Sequence, residues 1–155
     1  MGQFSLQLDG FAKSAMAKAD AVCRNVAISL DENIVLKWPV GDPKFWSPAS
    51  LPAPKGYVGG RSRANWQVGV NEVPSGELFE PNNYVGYPSA AETVDRERER
   101  LNQITGNVLY LANNLPYAQR IEDGNWAKAA PAGVVGITVI EFIPLVKAAI
   151  AEANV

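Results

Sequence analysis

Leu8, Phe11, Ala15, Ala19, Val22 and Val26 recur at three- and four-residue steps near the start of the chain. Met16 and Cys23 widen this stripe, and Lys13, Lys18, Asp20 and Arg24 lie largely off it. The spacing predicts a long amphipathic helix with one apolar face. Ser5 and Asp9 are both suited to cap its start. The helix is expected to run to about Leu36 and stop near Trp38, because Pro39 disfavours helical geometry in the residue before it.

Beyond it the pattern breaks down. Five prolines (Pro39, Pro43, Pro48, Pro52, Pro54) alternate with glycines up to Gly60, so residues 39–60 read as a long loop. Phe45, Trp46 and Tyr57 lie within it. Loop aromatics of this kind are enriched at interfaces, which favours packing on another subunit over folding back. Ala64, Trp66, Val68 and Val70 then alternate with Arg63, Asn65, Gln67 and Gly69, a half-buried strand. Residues 78–87 read as a short strand or an irregular loop around Pro81-Asn82-Asn83.

Ser89-Ala90-Ala91-Glu92 is a capping box. Val94, Leu101 and Ile104 give the helix after it an apolar edge, with an end near Gly106. Its charged run, residues 95–100, reads as a solvated face. The stretch 108–112 is apolar on both faces and reads as a central strand. Pro131 suits the first turn of a helix. Residues 134–143 fit a buried helix or a strand, and 145–153 are helical by composition, with Pro144 kinking or breaking what precedes it. These elements predict an α+β fold. A small, mostly antiparallel sheet packs against a long N-terminal helix, a charged middle helix and a C-terminal helix.

The 155 residues suit a single domain spanning 1–155. Fourteen basic against sixteen acidic residues leave a net charge of −2, the wrong balance for a protein that grips DNA by phosphate neutralisation. The chain contains no histidine and one cysteine, which removes the commonest general base and any zinc site. Cys23 reads as a small core residue. No secretory signal and no membrane-length apolar run is apparent, so a soluble protein made in a cytoplasm is expected.

Candidate chemistry is sparse. Gly56-Tyr57-Val58-Gly59-Gly60-Arg61 lacks the ending of a phosphate loop. Glu122 paired with Glu141 or Glu92 would be the carboxylates of a hydrolase, but no spacing matches a mechanistic motif. Trp46 and Trp126 lie in loops and suit a contact surface or a carbohydrate-binding module. Tyr117 reads as an anchor whose hydroxyl finds Asn113 or Glu122, and Arg120 with Glu122 as a polar contact. No cofactor, metal or catalytic residue is expected.

Two stretches are more specific as patterns. Pro39-Val40 followed by Gly60-Arg61-Ser62-Arg63-Ala64-Asn65-Trp66 is similar to the Thr-Pro-Val-Asp-Thr-Gly-Arg-Leu-Arg-x-Ser-Trp run of small head–tail joining proteins in long-tailed phages. Asn114-Leu115-Pro116-Tyr117-Ala118-Gln119-Arg120-Ile121-Glu122-Asp123-Gly124, with Ala130-Pro131-Ala132-Gly133-Val134, resembles that family's Tyr-Ala-x-x-x-Glu-x-Gly element and the start of its last helix. Trp38 stands where threonine is common, Ser62 where leucine is common, and the intervening loop is longer.

The resemblance implies a non-enzymatic virion protein at the neck. It would be a tail-completion subunit forming a ring of six or twelve copies, with DNA passing through the lumen. Head connector or adaptor proteins and tail terminator or tube proteins would be its partners, and it would assemble in the bacterial cytoplasm. A tail terminator or a head-closure ring protein is the alternative within the same class. Cyclic rings need two different adhesive faces. The expected interface residues are Phe45, Trp46, Tyr57, Tyr117, Arg120, Glu122, Trp126 and Pro131.

Overall fold

A computed structural model of the chain describes residues 3–45, 52–53, 55–81, 86–124 and 127–153. Helix α1 (Gln3–Lys37) stops one residue before Trp38, as Pro39 requires. A 3-10 turn (Pro43–Phe45) and a short helix α2 (Arg61–Ala64) bracket the proline-rich loop. Then come β1 (Trp66–Val70), α3 (Ala90–Leu101), β2 (Leu109–Asn113), α4 (Ala118–Glu122), α5 (Val135–Ile140) and α6 (Phe142–Ala153). The architecture is α+β, dominated by helices.

Strands β1 and β2 form an antiparallel pair, with Trp66 opposite Asn113 and Val70 opposite Leu109. The alternation at 64–70 overestimates the strand, because residues 61–64 form a helical turn entered from left-handed Gly60 (φ 113°). And β2 is not a central strand: β1 is its only strand partner among the described residues, and none of its residues is fully buried. Its leucines, Leu109 and Leu111, pack on a small cluster of Ala27, Val68 and Leu101.

The larger core joins the end of α1 (Ile34, Val35, Trp38) to Trp66, Val94, Leu115, Ile121 and Val134. Trp38 meets Trp66 edge to face, 4.9 Å between ring centroids, a geometry that adds about 1 kcal/mol beyond area burial. The capping box forms as expected: the Glu92 amide donates to Ser89 Oγ at 3.2 Å and the Ser89 amide to Glu92 Oε2 at 2.7 Å. Helix α3 ends at Leu101, short of Gly106. Residues 78–81 are irregular, and Asn82 and Asn83 lie outside the described residues.

The C-terminal ambiguity resolves as helix. The break between α5 and α6 falls at Glu141, and Pro144 occupies the first turn of α6, where a missing N–H costs no helical bond. Helix α6 lies antiparallel along the second half of α1, and α5 touches α1 as well. Asn25 Nδ2 donates to Glu152 Oε2 (3.3 Å), and Lys37 Nζ to Glu141 Oε2 (2.5 Å). The first half of α1 has no such cover: every residue from Phe4 to Ala19 is exposed. Cys23 is exposed as well, contrary to its expected place in the core. Periodicity identifies the apolar face of a helix but not how far along it the cover extends.

Candidate functional site

The two motif-bearing stretches meet in space, and the meeting is polar. Helix α2 carries Arg61 and Ser62 next to the end of β2. Arg61 Nε donates to Phe79 O at 2.8 Å, and its guanidinium pairs with Glu77 and lines one cleft with Tyr117. Ser62 Oγ accepts from Trp38 Nε1 at 2.8 Å, while Ser62 O accepts from Asn113 Nδ2 at 2.7 Å. Asn65 is fully buried, donating to Arg61 O (2.8 Å) and accepting from the Leu78 amide (2.7 Å). Asn114 Nδ2 donates to Pro74 O and Gly76 O, each at 3.0 Å. The asparagines thus satisfy turn carbonyls that no strand partner reaches.

The long loop closes at its base. Gly59 lies so close to Gly41 O and Val40 that a Cβ there would collide with the backbone. Pro39-Val40-Gly41 and Gly59-Gly60-Arg61 are therefore spatial neighbours, although eighteen positions (41–58) separate Val40 from Gly59 in sequence. Tyr57 folds back onto this base, its hydroxyl against Gly41. Tyr57, Tyr87 and Tyr117 line a cleft of about 180 Å³ with Arg61. Small-molecule sites usually occupy about 300–1,000 Å³, so the cleft is small for a substrate. Burial pushes the Tyr57 and Tyr117 phenols up, and at Tyr117 the Arg61 guanidinium opposes that shift.

Helix α3 closes the outer edge of β1. Arg96 Nη1 donates to Ala64 O at 3.0 Å and Nη2 to Trp66 O, while the Val68 amide donates to Glu97 Oε2 at 3.1 Å. Glu97 is 1% exposed and pairs with Arg96 (2.6 Å) and Arg100 (2.8 Å). This corrects the expectation of a fully solvated charged face. The two side chains occupy backbone groups that would otherwise template another strand.

Glu122 has a definite task. Its Oε2 accepts the Val134 and Val135 amides, both at 2.9 Å, and Oε1 accepts the Gly136 amide at 2.8 Å. One carboxylate thus satisfies three donors at the start of α5. Partial burial opposes ionisation, but these three bonds outweigh it and hold the carboxyl below its ordinary range. Gly133 (φ 75°) packs against Glu122 O and its carboxylate, leaving no room for a Cβ. Arg120 is exposed and takes no part in the cap, so the expected Arg120–Glu122 contact does not form. Pro131 lies in the turn before α5 rather than in its first turn, its carbonyl against Gly124.

Of the expected interface residues, Tyr57 and Tyr117 come together at the cleft, and Glu122 and Pro131 belong to the α4–α5 junction. Trp46 and Trp126 lie outside the described residues, as does the Phe45 side chain. Tyr117 lines the cleft with Arg61, while Asn113, its expected partner, bonds Ser62 O and Glu122 caps α5. Sequence reasoning missed Arg61, Ser62, Arg96 and Glu97 as organising residues. The first two stand inside a motif that flagged them, whereas nothing in a run of alternating charges singles out the latter pair.

The carboxylates considered for hydrolysis are all engaged. Glu141 pairs with Lys37, and Glu92 and Glu122 cap helices. Glu92, bonded by the Ser89 amide, is also held below its ordinary range. A general acid needs the opposite shift. Among the described residues, no group of three or more potential ligands is placed to hold a metal ion, and no helix is long and apolar enough to cross a membrane. Comparison with family models, curated proteins and solved structures returns no match.

Proposed function

We propose that this chain is a structural ring subunit at the head–tail junction of a tailed phage. One observation carries the reading: the two stretches that resemble the neck family form one polar junction. Ser62 of the first bonds Asn113 beside the second, and Arg61 of the first lines one cleft with Tyr117 of the second. The loop that interrupts the first stretch closes on itself, so Pro39-Val40 and Gly60-Arg61 lie side by side as they would in an uninterrupted run. Two of the departures from the family pattern also fit each other, since Trp38 donates to Ser62. In the second stretch the glutamate has a local reason to be there, as the cap of the next helix.

In this reading the chain is an assembly component and the junction keeps its fold rigid. Buried, bonded polar groups specify one arrangement more than they add stability. Its neighbours are copies of itself, the head connector or adaptor above and the tail terminator or tube below. Genomic DNA passes through the lumen without being held, in keeping with a net charge of −2. Disrupting the gene in the phage tests this. The expected lysate holds DNA-filled heads and separate tails that fail to join, with joining restored by the purified protein. Normal joined particles without the protein would sink the proposal.

A further inference from the structure

Two apolar surfaces stand uncovered on different parts of the fold. The first is the leading half of α1. Phe4 (77% exposed), Leu8, Phe11 (73%) and Met16 rise from it at helical spacing. The stripe Phe4, Leu8, Phe11, Ala15 continues through Val22 to buried Val26, the stretch of α1 on which α6 packs. It is therefore the extension of an interface already made within the subunit, prolonged beyond the helix that covers it. The second surface is the outer side of α5–α6, where Val139, Ile140 (82% exposed), Phe142 and Ile143 cluster at the helix junction.

The geometry points to one docking on the other between two copies of this chain. The leading half of α1 inserts its Phe4–Met16 face against the α5–α6 surface of the next subunit. At about 200 Å² for a fully exposed large side chain, the first surface offers about 550 Å² and the second about 500 Å². Together they come to about 1,050 Å², just above the roughly 1,000 Å² that a biological interface should clear. The leading half of α1 carries an internal Asp9–Lys13 pair with Lys18 and Asp20, a balanced charge. A helix lying on an anionic membrane would be rich in lysine and arginine on its polar face.

Because the surfaces differ, the contact is heterologous and propagates head to tail until it closes a ring. The inference rests on the proposed ring and names the parts of the subunit that make it.

Phe11→Asp and Ile140→Asp, each at an exposed position, test it by light scattering and analytical ultracentrifugation. The unsubstituted protein is expected to form oligomers larger than dimers at about 0.1 mM, a concentration that populates contacts of micromolar strength. Each variant alone should be a folded monomer by circular dichroism. An equimolar mixture should give dimers and nothing larger, since each variant keeps one intact surface. Oligomers that persist in both variants, a mixture without dimers, or an unsubstituted monomer at that concentration would overturn the inference. Binding to phosphatidylcholine vesicles without self-association would overturn it as well. None of these outcomes touches the neck assignment, which the gene-disruption experiment tests separately.

Discussion

Asp31 on α1 is fully buried, and its Oδ2 has no hydrogen-bond partner. Burial raises its pKa to about 7 from 3.8; Glu97 raises it further, Arg96 opposes, and Glu32 adds to the rise. Between those values the folded chain holds a proton that the unfolded chain has lost. Stability therefore falls as pH rises from about 4 to about 7, and the full penalty persists above 7. A rise of that size corresponds to about 4 kcal/mol. Asp31→Asn keeps the side-chain size and removes the titration. It should match the parent near pH 4 and exceed it by about 2–4 kcal/mol at pH 8, the lower figure allowing for imperfect bonding of the buried amide. For a chain of this size that is a melting-temperature gain of about 5–15 °C. Urea unfolding followed by tryptophan fluorescence from pH 4 to 9 measures it. Parallel pH profiles for the two proteins, or an Asn variant less stable at pH 8, would refute the reasoning.

Three further substitutions probe the junctions. Glu122→Ala removes the carboxylate that accepts from three amides at the start of α5 and should cost about 2 kcal/mol at pH 7 in chemical denaturation. Since this carboxyl is held below its usual 4.5, its contribution is present above that value and disappears as pH falls through the lowered pKa, so parent and variant should converge in acid. A cycle of Trp38→Phe and Ser62→Ala should show coupling of about 1 kcal/mol in unfolding, and strict additivity would mean the bond contributes nothing. Gly133→Ala should lose more than about 2 kcal/mol by thermal melting, from a left-handed backbone and a collision with Glu122; an unchanged melt would contradict both.

Local signals in the chain read well. The end of α1 at Pro39 and the start of α3 at Ser89 follow from neighbouring residues and appear where those residues place them. Features that depend on distant partners do not show in the sequence. Glu97 looks like any member of a charged run until the Val68 amide, 29 positions away, is found against it. Glu122 acts on amides 12 to 14 residues ahead. The apolar stripe of α1 is plain, but α6 covers only its second half, and that division decides whether Phe11 is core or surface. At the candidate site, the motifs contain Arg61, Ser62 and Tyr117; folding brings Arg61 and Tyr117 to one cleft and Ser62 to Asn113.

Cryo-electron microscopy of assembled particles addresses the central claim most directly. The account predicts density for this chain as a closed ring of six or twelve copies between head connector and tail, around the DNA channel. Density confined to the capsid shell, or a virion without the chain, would contradict it.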